Sequence, residues 1–133
     1  MRALVAAAAA LATLAVAAAN ATTGPSFAFG RGGGNVVPTN VRIAATGKVT
    51  VDGEAHGRLP RAKLRALLAV AVAQRFFVLP RQIQCPRTLP DFATLYVTVR
   101  TPARTRTVAE RGSCNKRFER MYAALDAAVR SAR

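Results

Sequence analysis

Residue types that usually carry catalysis or bind metals are scarce in this sequence. Its 133 residues include no tryptophan, one histidine, two cysteines and six acidic residues. A structural zinc site takes four ligands, more than two cysteines and one histidine can provide. We therefore expect no metal and no cofactor.

Recognisable catalytic and phosphate-binding motifs are also missing. The serines are Ser26, Ser113 and Ser131. None of them lies in the G-x-S-x-G turn that exposes a serine nucleophile. The glycine run at 30–34 precedes a predicted strand and does not open a helix, which is the wrong context for a phosphate-binding loop.

The acidic residues and the histidine do not form a predicted catalytic pair. Asp91 and Glu110 are isolated in sequence, whereas glycoside hydrolysis requires two carboxylates that face one bond. His56 ends the segment "DGEAH", and Asp-Gly is typical of a turn. We expect a protein that is not an enzyme; the alternative is a small hydrolase that uses His56 or Asp91.

The N-terminus has the pattern of a secretory signal peptide. Arg2 is followed by a long alanine-rich run without charge and by the A-x-A site Ala19-Asn20-Ala21. Cleavage after Ala21 is expected, with an uncleaved membrane anchor as the alternative, and places the protein outside the cytoplasm. Removal of residues 1–21 leaves 112 residues, enough for one domain.

The mature chain is strongly basic. It keeps 19 of the 20 basic residues and all six acidic ones, a formal charge of +13. Such a charge attracts acidic proteins, envelope polyanions or anionic membrane surfaces. The rival interpretation is compositional, because only three of the basic residues are lysine and alanine is abundant, as a GC-rich coding bias would produce.

Secondary-structure signals divide the rest of the chain. Residues 22–36 are rich in glycine and proline and are predicted to be a flexible lead-in. "TNVRIAATG" and "KVTVDG" alternate apolar and polar residues, so they predict a hairpin. Pro60 and the apolar spacing after it predict a helix of about 15 residues.

The second half shows the same order. "FATLYVTVR" and "RTRTVAE" predict two strands, and Asn115 can cap a final helix with an apolar face. The prediction is a single α+β domain over residues 37–131. We expect a two-layer sandwich in which two helices cover one face of a four-stranded antiparallel sheet, in the order ββαββα.

The uncovered face of this sheet is the candidate binding surface. A polar sheet face with arginines and an aromatic residue can bind a polyanion or a protein, although an antiparallel sheet often exposes one face to water without binding anything. A single tyrosine is too little for the stacking platform of single-stranded nucleic-acid binders, which argues against specific nucleic-acid binding. The candidate residues are Arg42, Lys48, Tyr96, Thr98, Arg100 and Arg106.

Four segments resemble a class of small exported bacterial domains of unknown function. They are "GKVTVDG", the helix end "RFFVL", "PDFATLYVTV" and "RFERMYAAL". In that class a G-x-V-x-V-x-G hairpin precedes a helix that ends in Phe-Phe, and an aspartate stands just before a later strand. The resemblance covers about residues 37 to 130 and implies the fold and the exported location. It implies no catalytic residues.

The two cysteines are predicted to pair. Exported proteins meet an oxidising environment, and Cys85 and Cys114 have no other partner. A disulfide there would brace the proline-rich loop at 80–91. Such a loop suits an inhibitor of a hydrolase, which is the alternative to a secreted, non-catalytic binding or structural module.

Overall fold

A computed structural model describes residues 23–133, so the predicted signal peptide lies outside the described residues. The domain is α+β, as predicted. Its strands are β1 (Ser26–Gly32), β2 (Thr39–Ile43), β3 (Lys48–Val51), β4 (Glu54–Arg58), β5 (Gln82–Gln84), β6 (Thr94–Arg100) and β7 (Thr105–Arg111). Its helices are α1 (Arg61–Ala73) and α2 (Lys116–Arg130), and a short 3-10 turn (Phe76–Val78) follows α1.

The strands form one mixed sheet in the order β4-β3-β2-β1-β6-β7-β5. All neighbours are antiparallel except β5 and β7, which run parallel. The predicted four-stranded antiparallel sheet is therefore wrong in strand number and in direction. The predicted ββαββα order is also wrong, because four strands precede α1 and three lie between the two helices.

The segment expected to be a flexible lead-in contains the central strand of the sheet. β1 pairs with β2 on one side and with β6 on the other. Phe27 and Phe29 point into the core and are buried. Gly30 explains part of the glycine content, because a Cβ there would stand 1.9 Å from the backbone oxygen of Thr39. The glycine signalled close strand pairing, not flexibility.

The Asp-Gly turn after β3 connects it to a further strand, β4, that the sequence did not predict. Asp52 and Gly53 have φ angles of 51° and 86°, the pattern of a type I′ hairpin turn. β4 returns along β3 with an irregular register between Val49 and Thr50. β4 is polar because it is an edge strand, so its sequence lacks the apolar alternation that identifies a half-buried strand.

Both helices pack on one side of the sheet, where they close a single core. α1 contributes Leu64, Leu67 and Ala71, and α2 contributes Phe118, Met121 and Leu125. Asn115 caps α2 as predicted, since its Oδ1 accepts a hydrogen bond from the Phe118 N–H at 3.0 Å. Within residues 23–133, no helix is long and apolar enough to cross a membrane.

Candidate functional site

The sheet face opposite the helices is called the open face here. Three rows of side chains cross it, because residues paired in register on neighbouring strands point to the same side. The first row contains Thr50, Arg42, Ala28, Thr98 and Thr107. The second contains Asn40, Gly30, Tyr96 and Ala109, and the third contains Arg58, Lys48, Ser26, Arg100 and Thr105.

Cations on the open face have no acidic neighbours on its strands. Arg42, Lys48 and Arg100 are exposed there, as the sequence predicted, and Arg58 joins them from the unpredicted strand β4. Lys48 and Arg100 are three strands apart, or about 14 Å at the usual spacing of about 4.8 Å. The strands carry two acidic residues, Glu54 and Glu110, and the register places both on the other side.

Few of the cations are neutralised by ion pairs. Across residues 23–133, the single ion pair joins Arg130 to Asp126 at 2.6 Å, on the outer side of α2. The i, i+4 spacing places these two side chains next to each other on one face of α2. The cations of the open face are therefore free to attract an external anion, because no carboxylate within residues 23–133 forms an ion pair with them. Asp52, in the β3–β4 turn beside this face, instead accepts a hydrogen bond from the Asn40 N–H at 2.8 Å.

Tyr96 is held in place at the centre of the open face. Its hydroxyl lies 2.8 Å from the position that a Cβ on Gly30 would take, so the side chain lies across the glycine. Burial raises the pKa of the Tyr96 hydroxyl, and the charge of Asp52 acts in the same direction, while Arg42 and a hydrogen bond with Asn40 lower it. Beside it, the hydroxyls of Thr98 and Thr107 are hydrogen-bonded at 2.8 Å.

Arg106 does not belong to this face. It pairs in register with Val99, which is fully buried on the helix side. There the Arg106 guanidinium donates a hydrogen bond to the backbone oxygen of Leu79. Its position between Thr105 and Thr107 could have shown the alternation, so the expected placement with Arg100 is corrected.

The predicted disulfide is present. Cys85 and Cys114 are bonded, and their Cα atoms are 5.7 Å apart. Cys85 follows β5 and is buried, whereas Cys114 precedes α2 and is exposed. The bond therefore ties an edge of the sheet to the start of the second helix.

The loop between β5 and β6 is braced in two further ways. The Thr88 hydroxyl donates to the backbone oxygen of Cys85 at 2.6 Å, and Arg111 donates to the backbone oxygen of Pro90 at 2.9 Å. Leu89 and Phe92 nevertheless point outward and are 57% and 46% exposed. The loop thus presents two apolar side chains from a fixed backbone.

Glu110 is isolated from other acidic residues in the sequence, but in the structure its carboxyl group is buried and only partly hydrogen-bonded. It is the one buried charged residue of the part described, with no exposed surface. Its Oε2 accepts hydrogen bonds from the backbone N–H groups of Asn115 at 2.8 Å and Cys114 at 3.4 Å. Its Oε1 is buried without a partner. Burial raises the pKa of the Glu110 carboxyl above its usual range.

The sequence offered only a faint signal for Glu110. In "RTRTVAER" it falls two residues after Val108, on the apolar side of the alternation. A glutamate at a core position of a predicted strand is unusual enough to question. Its surroundings could not be inferred, because they come from the disulfide and the start of α2.

His56 and Cys85, the two residues that a Cys-His nucleophile would need, lie at opposite edges of the sheet. His56 is exposed on the edge strand β4, and Cys85 follows β5, the opposite edge of the seven-stranded sheet. Six strand spacings of about 4.8 Å put these edges about 29 Å apart. Asp91 lies in the β5–β6 loop, where its backbone oxygen accepts a hydrogen bond from the Asn35 N–H. No Cys-His pair is formed.

Comparison with known proteins gave no relative: no family model matches the chain, and no curated protein or solved structure matches it significantly.

Proposed function

We propose that this protein is a secreted, non-catalytic module that binds an extended polyanion through the open face. The observation that carries the proposal is the set of exposed cations on that face. The carboxylate of Asp52, in the β3–β4 turn beside this face, accepts a hydrogen bond from the Asn40 N–H and forms no ion pair with them. Hydroxyls of Thr50, Thr98 and Thr107 share this face. Thr98 and Thr107 are hydrogen-bonded to each other, so one of these two hydroxyls, together with that of Thr50, can donate to an anionic oxygen. The surface is broad, which suits a linear polymer better than a small anion.

An extracytoplasmic location supports this function. The Cys85–Cys114 disulfide is typical of an oxidising compartment. Outside the cytoplasm a basic module meets anionic envelope polymers, and its attraction to them depends on clustered charge. We therefore propose that residues 1–21 direct export and are removed.

Salt-dependent binding to long-chain inorganic polyphosphate tests the proposal. We expect affinity to fall steeply with salt, and Arg42→Ala and Arg100→Ala each to lower the log–log salt slope by about one. Arg65→Ala and Arg120→Ala are the matched controls, because they remove the same charge from exposed positions on the helices. Equal losses in all four variants would show that only net charge matters and would contradict a site on the open face.

Inhibition of a hydrolase is the second candidate, because the β5–β6 loop is braced and displays Leu89 and Phe92. A rigid loop with exposed apolar residues loses little entropy when it enters a cleft. Inhibition should resist high salt and disappear in the Leu89→Ala/Phe92→Ala double variant. Val72→Ala on α1, also exposed, should leave it unchanged. Salt-sensitive inhibition or equal loss in the Val72 variant would argue against this candidate.

A further inference from the structure

The disulfide and Glu110 form a compact cluster that the binding function does not use. A carboxylate oxygen of Glu110 and the sulfur atoms of Cys85 and Cys114 all lie within 4.8 Å of one another. Glu110 is fully buried, and its Oε1 has no hydrogen-bond partner. A buried polar atom left unpaired costs free energy, so its retention beside a reactive bond calls for an explanation.

We propose that Cys85–Cys114 is a thiol–disulfide exchange site, attacked at Cys114 by a low-molecular-weight thiol, with Glu110 as proton donor to the sulfur of Cys85. The two cysteines differ in exposure to solvent, which decides which sulfur an external thiolate can attack. Cys114 is exposed, whereas Cys85 is 5% exposed. Gly112 lies against Cys85, since a Cβ on Gly112 would come 3.4 Å from its sulfur. An incoming thiolate therefore reaches Cys114, and Cys85 is the leaving group.

The first step forms one bond and breaks one. The thiolate attacks Sγ of Cys114 and forms a mixed disulfide with it, while the bond to Cys85 breaks and its electron pair stays on Sγ of Cys85. A buried thiolate is unfavourable. The protonated Glu110 transfers its proton to that sulfur, which leaves a Cys85 thiol and a Glu110 carboxylate.

The second step releases the first thiol from the protein as part of a small-molecule disulfide. A second thiolate attacks the mixed disulfide, forms a disulfide with the first, and leaves Cys114 as a thiolate. Two thiols are oxidised to one disulfide, and the protein disulfide is reduced. The Cys114 thiolate then lies two residues before Lys116, the first residue of α2, where the N-terminal end of the helix stabilises negative charge.

The surroundings raise the pKa of the Glu110 carboxyl and so increase the fraction of the protein in which it carries a proton. Desolvation is the largest effect on its carboxyl, and the negative charge of Glu119 on α2 acts in the same direction. The N–H groups of Asn115 and Cys114 and the charge of Lys116 oppose it. Its in-register neighbours are Leu95 on β6 and Ile83 on β5, which are apolar.

Reduction of the oxidised protein by glutathione at pH 7, followed by alkylation and intact mass, tests the assignment. Glu110→Gln keeps an oxygen for the N–H groups of Cys114 and Asn115 but has no acidic proton. We expect it to slow reduction on the order of 100-fold, the lower end of what a positioned general acid contributes. Glu54→Gln, which removes an exposed carboxylate on β4 at the opposite edge of the sheet from β5, should stay within about twofold of the wild type.

The pH profile separates this role from a structural one. After correction for the fraction of glutathione that is thiolate, the wild-type rate should fall as pH rises through the pKa of Glu110, and the rate of Glu110→Gln should not. If Glu110 only supported the fold, the corrected wild-type rate would stay constant or rise, because ionisation of a buried carboxyl loosens the domain. An unchanged or faster rate in Glu110→Gln would overturn the proposal. The trapped glutathione adduct should be on Cys114, and an adduct on Cys85 would also overturn it. Both results are independent of polyphosphate binding.

Discussion

Glu110 makes stability depend on pH in an unusual direction for a carboxyl group. Its pKa is raised above the ordinary value of 4.5, chiefly by burial, so the folded protein binds this proton more tightly than the unfolded chain. Its stabilising contribution is therefore full below the unfolded pKa and is lost as pH rises through the folded pKa. Most carboxyl groups in ion pairs behave in the opposite way.

The Glu110→Gln variant isolates this effect. We expect it to unfold at higher denaturant concentration than the wild type at pH 7, because on folding the wild type must either bury a carboxylate or take up a proton, and glutamine does neither. The advantage should shrink as pH falls towards 4, where Glu110 is protonated in both states. Urea unfolding of both proteins across this range measures it. A constant difference at every pH would mean that packing, not ionisation, distinguishes the variants.

At the scale of elements, the pairing of β1 with β2 depends on the close approach of Gly30 to the backbone of Thr39. Gly30→Ala would place a Cβ 1.9 Å from the backbone oxygen of Thr39, and backbone cannot move aside as a side chain can. We expect a loss of at least about 1 to 3 kcal/mol, the usual cost of overpacking. Gly32→Ala is the matched control, because nothing lies within 4 Å of its Cβ position and it belongs to the same strand. Thermal unfolding should separate the two variants, and equal stability would contradict the close pairing.

The same elements show how far sequence patterns predict this fold. Both helices, the β2–β3 hairpin, β6 and β7 were found because each presents a strong apolar alternation or helical spacing. β1 was missed because glycine needed for close pairing resembles glycine in a flexible segment. β4 and β5 were missed because edge strands are short or polar. Local patterns do not specify strand partners, so the parallel β5–β7 pair could not be inferred.

The candidate sites follow the same division. Arg42, Lys48, Tyr96, Thr98 and Arg100 were placed on the open face by period-two alternation alone. Arg58 required knowledge of β4, and Arg106 was placed on the wrong face although its alternation with Thr105 and Thr107 puts it on the side of Val108. The disulfide was predictable because the N-terminus indicates export to an oxidising environment and the chain has two cysteines. The association of Glu110 with that pair was not, because the three residues meet only when the sheet and α2 pack together.

At the scale of the whole molecule, the disulfide crosslinks the edge of the sheet at β5 to the start of α2. It joins a three-residue edge strand to the start of α2 across 29 positions of sequence. Closing a loop of this length should stabilise the fold by about 3 to 4 kcal/mol in the chain-entropy model. That is a large part of the roughly 5 to 15 kcal/mol that holds a typical domain folded.

We therefore expect the Cys85→Ala/Cys114→Ala double variant to lose about 3 kcal/mol and to melt on the order of 10 to 20 °C lower. The protein reduced with its thiols intact should show a similar loss, because the crosslink and not the sulfur atoms supplies the stability. Scanning calorimetry of both forms against the oxidised protein makes the comparison. A loss in the double variant alone would assign the effect to the cavity left beside Glu110. A loss below about 1 kcal/mol in both forms would show that the sheet and α2 hold together without the bond, and would make its exchange with thiols the stronger reason for its presence.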